Sequence, residues 1–166
     1  QELAVIRNLV ALHAAPGVGL QIGRRYHLTS LGLLGYAMLA GRTLRDAIDV
    51  TRQFRALSLS ICPVHLQADA AGVLMTLDES VLPNDARCLV VERGLTAWQC
   101  LFSELLQRPF HPLRIELCVP GSGEASLYAA HFDCPVDTQA QRNSMLIASA
   151  DLDTPLPLAN ALTQRT

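Results

Sequence analysis

Leu31 to Ala40 carries no charged residue and holds two glycines, and a capped amphipathic segment follows it at once. No other stretch narrows the choice of fold so far. Gly32 and Gly35 stand three residues apart, on one face of a helix. Loss of Cβ there admits a second backbone at close range, at a cost of roughly 1 kcal/mol per glycine in helix propensity. Thr29 and Ser30 suit helix N-caps, and Gly41 suits a left-handed stop. Thr43-Leu-Arg-Asp46 reads as a capping box, its hydroxyl and carboxylate serving free amides of the first turn. Leu44, Ala47, Ile48 and Thr51 then form one stripe, with Arg45, Asp49 and Arg52 on another. The expectation is a buried helix over Leu31–Ala40, a tight corner and an amphipathic helix.

The chain around this stretch suits a single domain over residues 1–166. Its 166 residues are 50% hydrophobic and 17% charged, enough for a substantial core and unlike a disordered segment. A net charge of −2, with every basic residue an arginine and none of them clustered, argues against a nucleic-acid surface. Contact with DNA is expected only through another part of the protein. No apolar run approaches the ~20 residues of a bilayer span, and no signal-peptide pattern opens the chain. A soluble cytoplasmic protein without membrane contact is expected. The first residue is Gln1, already inside a helical pattern, which predicts a trimmed fragment.

Along the chain, Glu2–Ala15 has helical period, with Leu3, Ile6, Val10 and His13 on one side, and stops at Pro16-Gly17. Residues 17–25 read as a helix end and loop. Val64–Ala68 and Val73–Leu77 alternate apolar and polar positions about a four-residue turn, a β-hairpin pattern. Asp85–Gln107 is the longest helical pattern, with Leu89, Ala97, Leu101 and Leu105 inward and Pro109 and Pro112 beyond its end. Arg114–Val119, Pro135–Gln141 and Met145–Ala150 read as strands, with a short helix over Gly123–Phe132. Leu158 begins a further helical pattern. Helices first and then a ββαβαββ order predict an α+β domain, a mainly antiparallel sheet packed with the long helix.

Few residues carry chemistry. Cys62, Cys88, Cys100, Cys118 and Cys134 are odd in number and form no close pair, so they read as small buried hydrophobes. Cys62 with His65 and His131 with Cys134 have a zinc-like spacing, but positions i and i+3 of a strand face opposite ways, so no metal is expected. Nothing places a base or an oxyanion donor beside Cys100, so neither an enzyme nor a cofactor is expected. If the long helix and the Leu31–Ala40 helix pack across the hairpin, Tyr36, His65, Met75, Trp98 and Phe102 line a pocket. Arg142, like Arg24 and Arg25, is a candidate for an anionic ligand group.

Two segments in this order resemble the N-terminal effector-binding domain of AraC-type bacterial transcription regulators, in its arabinose-binding-like branch. The first is Leu31-Gly-Leu-Leu-Gly-Tyr-Ala-Met-Leu-Ala-Gly-Arg-Thr-Leu-Arg-Asp-Ala-Ile48. The second is His131-Phe-Asp-Cys-Pro-Val136, then Asn143-Ser-Met-Leu146, then Leu152-Asp-Thr-Pro-Leu156. Thr138 departs from the family, which commonly has an aromatic there. Asn143 and the Pro155-Leu156 turn read as structural, Asn143 as a turn residue. The resemblance implies a homodimeric sensor that binds an unidentified small-molecule effector. It also implies a helix-turn-helix DNA-binding domain after residue 166. The alternatives are a ligand-independent dimerisation or interaction module and, more remotely, a small enzyme.

Overall fold

A computed structural model of the chain describes residues 2–12, 17–54, 61–118 and 125–159. Four helices come first: α1 (Glu2–Leu12), α2 (Val18–Gly23), α3 (Leu33–Leu39) and α4 (Leu44–Gln53). The hairpin β1 (Val64–Asp69) and β2 (Gly72–Leu77) follows, then the long α5 (Asn84–Leu106). The chain continues through β3 (Arg114–Glu116), α6 (Ala125–Phe132), β4 (Val136–Asp137), β5 (Asn143–Ala148) and α7 (Ser149–Leu152). The expected ββαβαββ order is the observed one.

The five strands form one sheet in the order β1-β2-β5-β3-β4. All neighbours are antiparallel except β3 and β4, between which α6 reverses the chain direction. Residues directly opposite one another share a face, so Leu66, Met75, Met145, Ile115 and Val136 make one row across the sheet. β5 lies in the middle, and Asn143 to Ile147 are all buried. The carboxylate of Asp137 accepts the amide of Gln139, an Asx turn that ends β4 after two residues, short of the expected Gln141. Asn143 is not a turn residue. It opens β5, fully buried, with Oδ1 accepting the Cys118 amide at 2.9 Å.

α5 is buried around most of its circumference because both the sheet and the N-terminal helices pack on it. Residues 17–25, expected to be a loop, include α2 instead. Gly19 and Gly23, one turn apart, lie against α5 so closely that a Cβ at Gly19 would stand 2.4 Å from the Leu89 carbonyl oxygen. One at Gly23 would stand 2.5 Å from the Thr96 Cβ. Both glycines cost helix propensity, and both are what allows the close packing. The carboxylate of Glu92, buried in the middle of α5, accepts the amides of Gly17 at 3.1 Å and Gly19 at 3.0 Å. The Tyr128 hydroxyl of α6 also donates to it, at 2.7 Å.

The expected helix over Leu31–Ala40 is broken. A 3-10 turn over Leu28–Leu31 ends at Gly32, whose φ of +56° is strained for any residue with a Cβ, and α3 starts after it. Thr29 and Ser30 therefore lie inside that turn and cap nothing. Gly35 does provide a close approach: a Cβ there would sit 1.9 Å from the Leu28 carbonyl oxygen, whereas one at Gly32 would meet nothing. Gly41 is not left-handed. The cap of α4 forms as expected on one side, Thr43 Oγ1 accepting the Asp46 amide, while the Asp46 carboxylate accepts the amide of Arg42. Leu44, Ala47 and Ile48 are buried along the expected stripe.

The two segments that carry the family resemblance meet in space. Thr43 bridges Pro155, the Leu156 amide donates to the Arg42 carbonyl at 2.9 Å, and Arg45 pairs with Asp153. Parts of the expected first helix (13–15), of the third strand (119) and of the helix after it (123–124) lie outside the described residues. So does the helical pattern from 160 onward.

Glu92→Gln replaces an oxygen acceptor by an amide nitrogen, leaving at least one of its three buried donors unmatched. We expect a loss of about 1–3 kcal/mol in urea unfolding. An unchanged midpoint would show that α2 is held by its glycine packing alone.

Candidate functional site

Between α5, the hairpin and helices α3 and α4 lies a cavity of about 390 Å³. α5 supplies Val90, Gly94, Ala97 and Leu101 at helical spacing, with Arg93, Trp98 and Phe102 beside them. Gly94 and Ala97 are the smallest residues on that face, and at Gly94 the Leu77 side chain packs so closely that a Cβ would stand 3.2 Å from it. The hairpin contributes Val64, Leu66, Met75 and Leu77, which point the same way by strand alternation and register. Leu34 and Met38 of α3, and Ile48, Thr51 and Arg52 of α4, form the opposite wall, with Tyr26 and Cys62 beside them. The surface is mostly apolar with a few polar groups, as is usual for small-molecule sites.

Of the residues expected to form a pocket, Met75, Trp98 and Phe102 line this one. Tyr36, His65 and Arg142 are placed elsewhere. With α3 starting at Leu33, its inward positions are Leu34, Gly35 and Met38, and Tyr36 points to solvent. His65 lies between Val64 and Leu66 on β1, on the outer face. Arg142 is engaged by Glu116 across the sheet, and that ion pair, with Ser144 and Arg114, holds the Glu116 carboxyl below its ordinary range. Sequence reasoning missed Tyr26, Thr51, Arg52 and Arg93.

Burial, followed by the neighbouring negative charge of Glu79, pushes the Cys62 thiol up to about 11. Cys88, buried next to Glu92, is pushed up to about 12, and burial also raises Cys100. Among the described residues no three His, Cys, Asp or Glu side chains converge as metal ligands. None of their helices is long and apolar enough to cross a membrane.

A second, more polar cleft of about 350 Å³ borders a neighbouring face of α5 and shares Tyr26 with the first. Its lining includes Arg24, Thr96, Cys100, Glu104 and His131. His131 Nε2 and Thr96 Oγ1 are 3.0 Å apart, and Glu104 accepts the Leu28 amide at 2.9 Å. Burial, then the positive charge of Arg24, pushes His131 down to about 4.

An unfolded chain takes up a proton at this histidine near its ordinary value of 6.5, before the folded chain does. Stability from this group is therefore complete above about 6.5 and is lost as pH falls from there through about 4. We expect His131→Gln to flatten the fall in urea-unfolding stability between pH 6.5 and 4. An acid limb identical to that of the parent chain would assign the loss to other groups.

A family model described as the arabinose-binding domain of AraC transcription regulator, N-term, matches residues 1–156. An uncharacterized HTH-type transcriptional regulator of Mycobacterium tuberculosis is 34% identical over 95 residues, 57% of this chain and 28% of that protein. The ornithine utilization regulator of Pseudomonas aeruginosa is 26% identical over 154 residues, 92% of this chain and 45% of that protein. This chain thus spans less than half the length of these curated relatives. The crystal structure of the transcriptional regulator CdpR from Pseudomonas aeruginosa superimposes with a TM-score of 0.79 at 21% identity, over 96% of this chain and 52% of that one. At that identity it shows a shared fold.

Proposed function

The chain belongs to the family of N-terminal arabinose-binding domains of AraC transcription regulators, and from that premise we propose that it senses a small molecule. The ligand binds in the cavity between α5, the hairpin and α3–α4, and its binding controls a helix-turn-helix DNA-binding unit elsewhere in a longer cytoplasmic regulator. The cavity is the observation that carries this reading: a largely apolar space walled by three independent parts of the fold. No bond is made or broken. The effector acts by binding one arrangement of the regulator better than another, a difference of typically about 1–3 kcal/mol.

α4 is the natural route of the signal. Ile48 and Thr51 in its middle wall the cavity, while Arg42 and Thr43 at its start hold Leu156 and Pro155. A ligand that shifts α4 therefore shifts the segment after α7. Ala97→Phe fills the cavity from α5 and tests the reading. At a ligand concentration 100 times Kd, binding adds about 2.7 kcal/mol, or about 5–10 °C in melting temperature for a domain this size. A thermal-shift screen of amino acids, small carboxylates and sugars is expected to find such a rise in the parent chain and none in A97F. A panel in which no compound shifts the parent melt would overturn sensing.

The second reading, a ligand-independent dimerisation module, has one observation in its favour. Leu33 and Tyr36 of α3 are one turn apart and 79% and 68% exposed. Light scattering at increasing concentration tests it: Leu33→Glu with Tyr36→Glu is expected to weaken self-association at least about tenfold if this face joins two copies. A variant that dimerises like the parent chain would exclude the face.

A further inference from the structure

The polar groups of the cavity are unequal in kind. Among its described lining residues there are two arginines, Arg52 and Arg93, two hydroxyls, Tyr26 and Thr51, and no Asp, Glu, Asn or Gln. Guanidinium groups only donate hydrogen bonds, and only the hydroxyls and the three sulfurs of Met38, Cys62 and Met75, which accept weakly, can accept from a side chain. A neutral sugar carries a donor on every hydroxyl and needs several acceptors around it. This wall has few to offer, and most of it is hydrocarbon. An ionised carboxylate, by contrast, only accepts, and pairs with guanidinium in a two-bond fork.

We propose that the cavity takes an organic monoanion, a carboxylate on an apolar body, rather than the pentose in the family's description. This rests on the sensing reading above and specifies its ligand. Arg93, half-buried on α5 and part of the cavity lining, holds the carboxylate. Arg52, at the exposed end of α4, stands at the rim, where its guanidinium already pairs with Asp49 at 3.6 Å. The apolar body lies along Val90, Ala97 and Leu101 against Met75. At roughly 30 Å³ per water-sized group, the space holds about a dozen non-hydrogen atoms. That is the size of a medium-chain or aryl-propionic acid.

Trp98 is the single tryptophan of the chain and lines the cavity, so its fluorescence reports occupancy directly. We would titrate the chain with octanoate and 3-phenylpropionate, with their neutral primary amides, and with L-arabinose, reading fluorescence and melting temperature. The acids are expected to bind at least about tenfold tighter than the amides. Arg93→Gln is expected to remove that preference, weakening the acids at least about tenfold more than the amides, with the unliganded melt of the variant checking its fold. Amides that bind the parent chain as tightly as the acids would overturn the anionic ligand while leaving a sensing cavity in place, and so would arabinose binding above both. Silence from every probe in both readouts would count against the anion and against sensing together.

Discussion

The buried carboxylate of Glu92 is the point on which the helical half of the molecule depends. It stands in the middle of α5 and receives two amides from the start of α2 and the hydroxyl of Tyr128 from α6. A carboxylate taken out of water costs several kcal/mol unless hydrogen bonds replace its hydration, and each bond to a charged group returns about 1.5–3 kcal/mol. Three well-placed donors meet that need, and they come from two elements far apart in sequence. The same geometry shows on the tyrosine, whose hydroxyl is raised well above its ordinary value by burial and by donation to Glu92. α2 is too short to be stable alone. It exists because Gly19 and Gly23 let it lie on α5 and because Glu92 holds its first turn.

From that anchoring the site follows. α2 leads directly into Tyr26 and the 3-10 turn, and Tyr26 borders both clefts. α5 turns different faces to different tasks: Glu92 and Thr96 towards α2 and α6, and Val90, Gly94, Ala97 and Leu101 towards the cavity. The helix is thus fixed on one side by hydrogen bonds and left with unfilled space on another. A firmly anchored wall beside a cavity is a sound basis for ligand binding, since little ordering cost falls on α5 when a ligand enters.

Much of this architecture was legible because it is written in local periods. The hairpin alternates over Val64–Leu77, the long helix repeats over more than twenty residues, and the cap at Thr43 needs only four neighbours. What could not be read depends on partners distant in sequence. Val-Gly-Leu-Gln-Ile-Gly scores as a loop by propensity, and only packing on α5 makes it a helix. The break at Gly32 turns on one backbone angle that composition does not reveal. Of the aromatic and sulfur-bearing residues expected to meet in a pocket, Met75, Trp98 and Phe102 line the cavity. Tyr36 and His65 were misplaced because helix phase and strand parity decide which way such residues point. Arg93 went unnoticed since an arginine on a long helix looks like a solvated charge until the fold turns it towards hydrocarbon.

The division of the cavity wall bears on how a sensor of this shape must work. α5 and β2 belong to the fixed part of the molecule: one is tied through Glu92, and the other is paired on both sides in the sheet. α4 is tied differently. Its buried stripe is three residues, Leu44, Ala47 and Ile48, and its start is clasped to Asp153, Pro155 and Leu156. A ligand seated only against α5 and the sheet would raise stability without moving anything, because it would favour every arrangement equally. To act as a signal it has to touch α4 as well, at Ile48, Thr51 or Arg52. On the proposed sensing reading, substitutions on α5 would change how tightly a ligand is held, whereas substitutions on the cavity face of α4 would also change what its binding does.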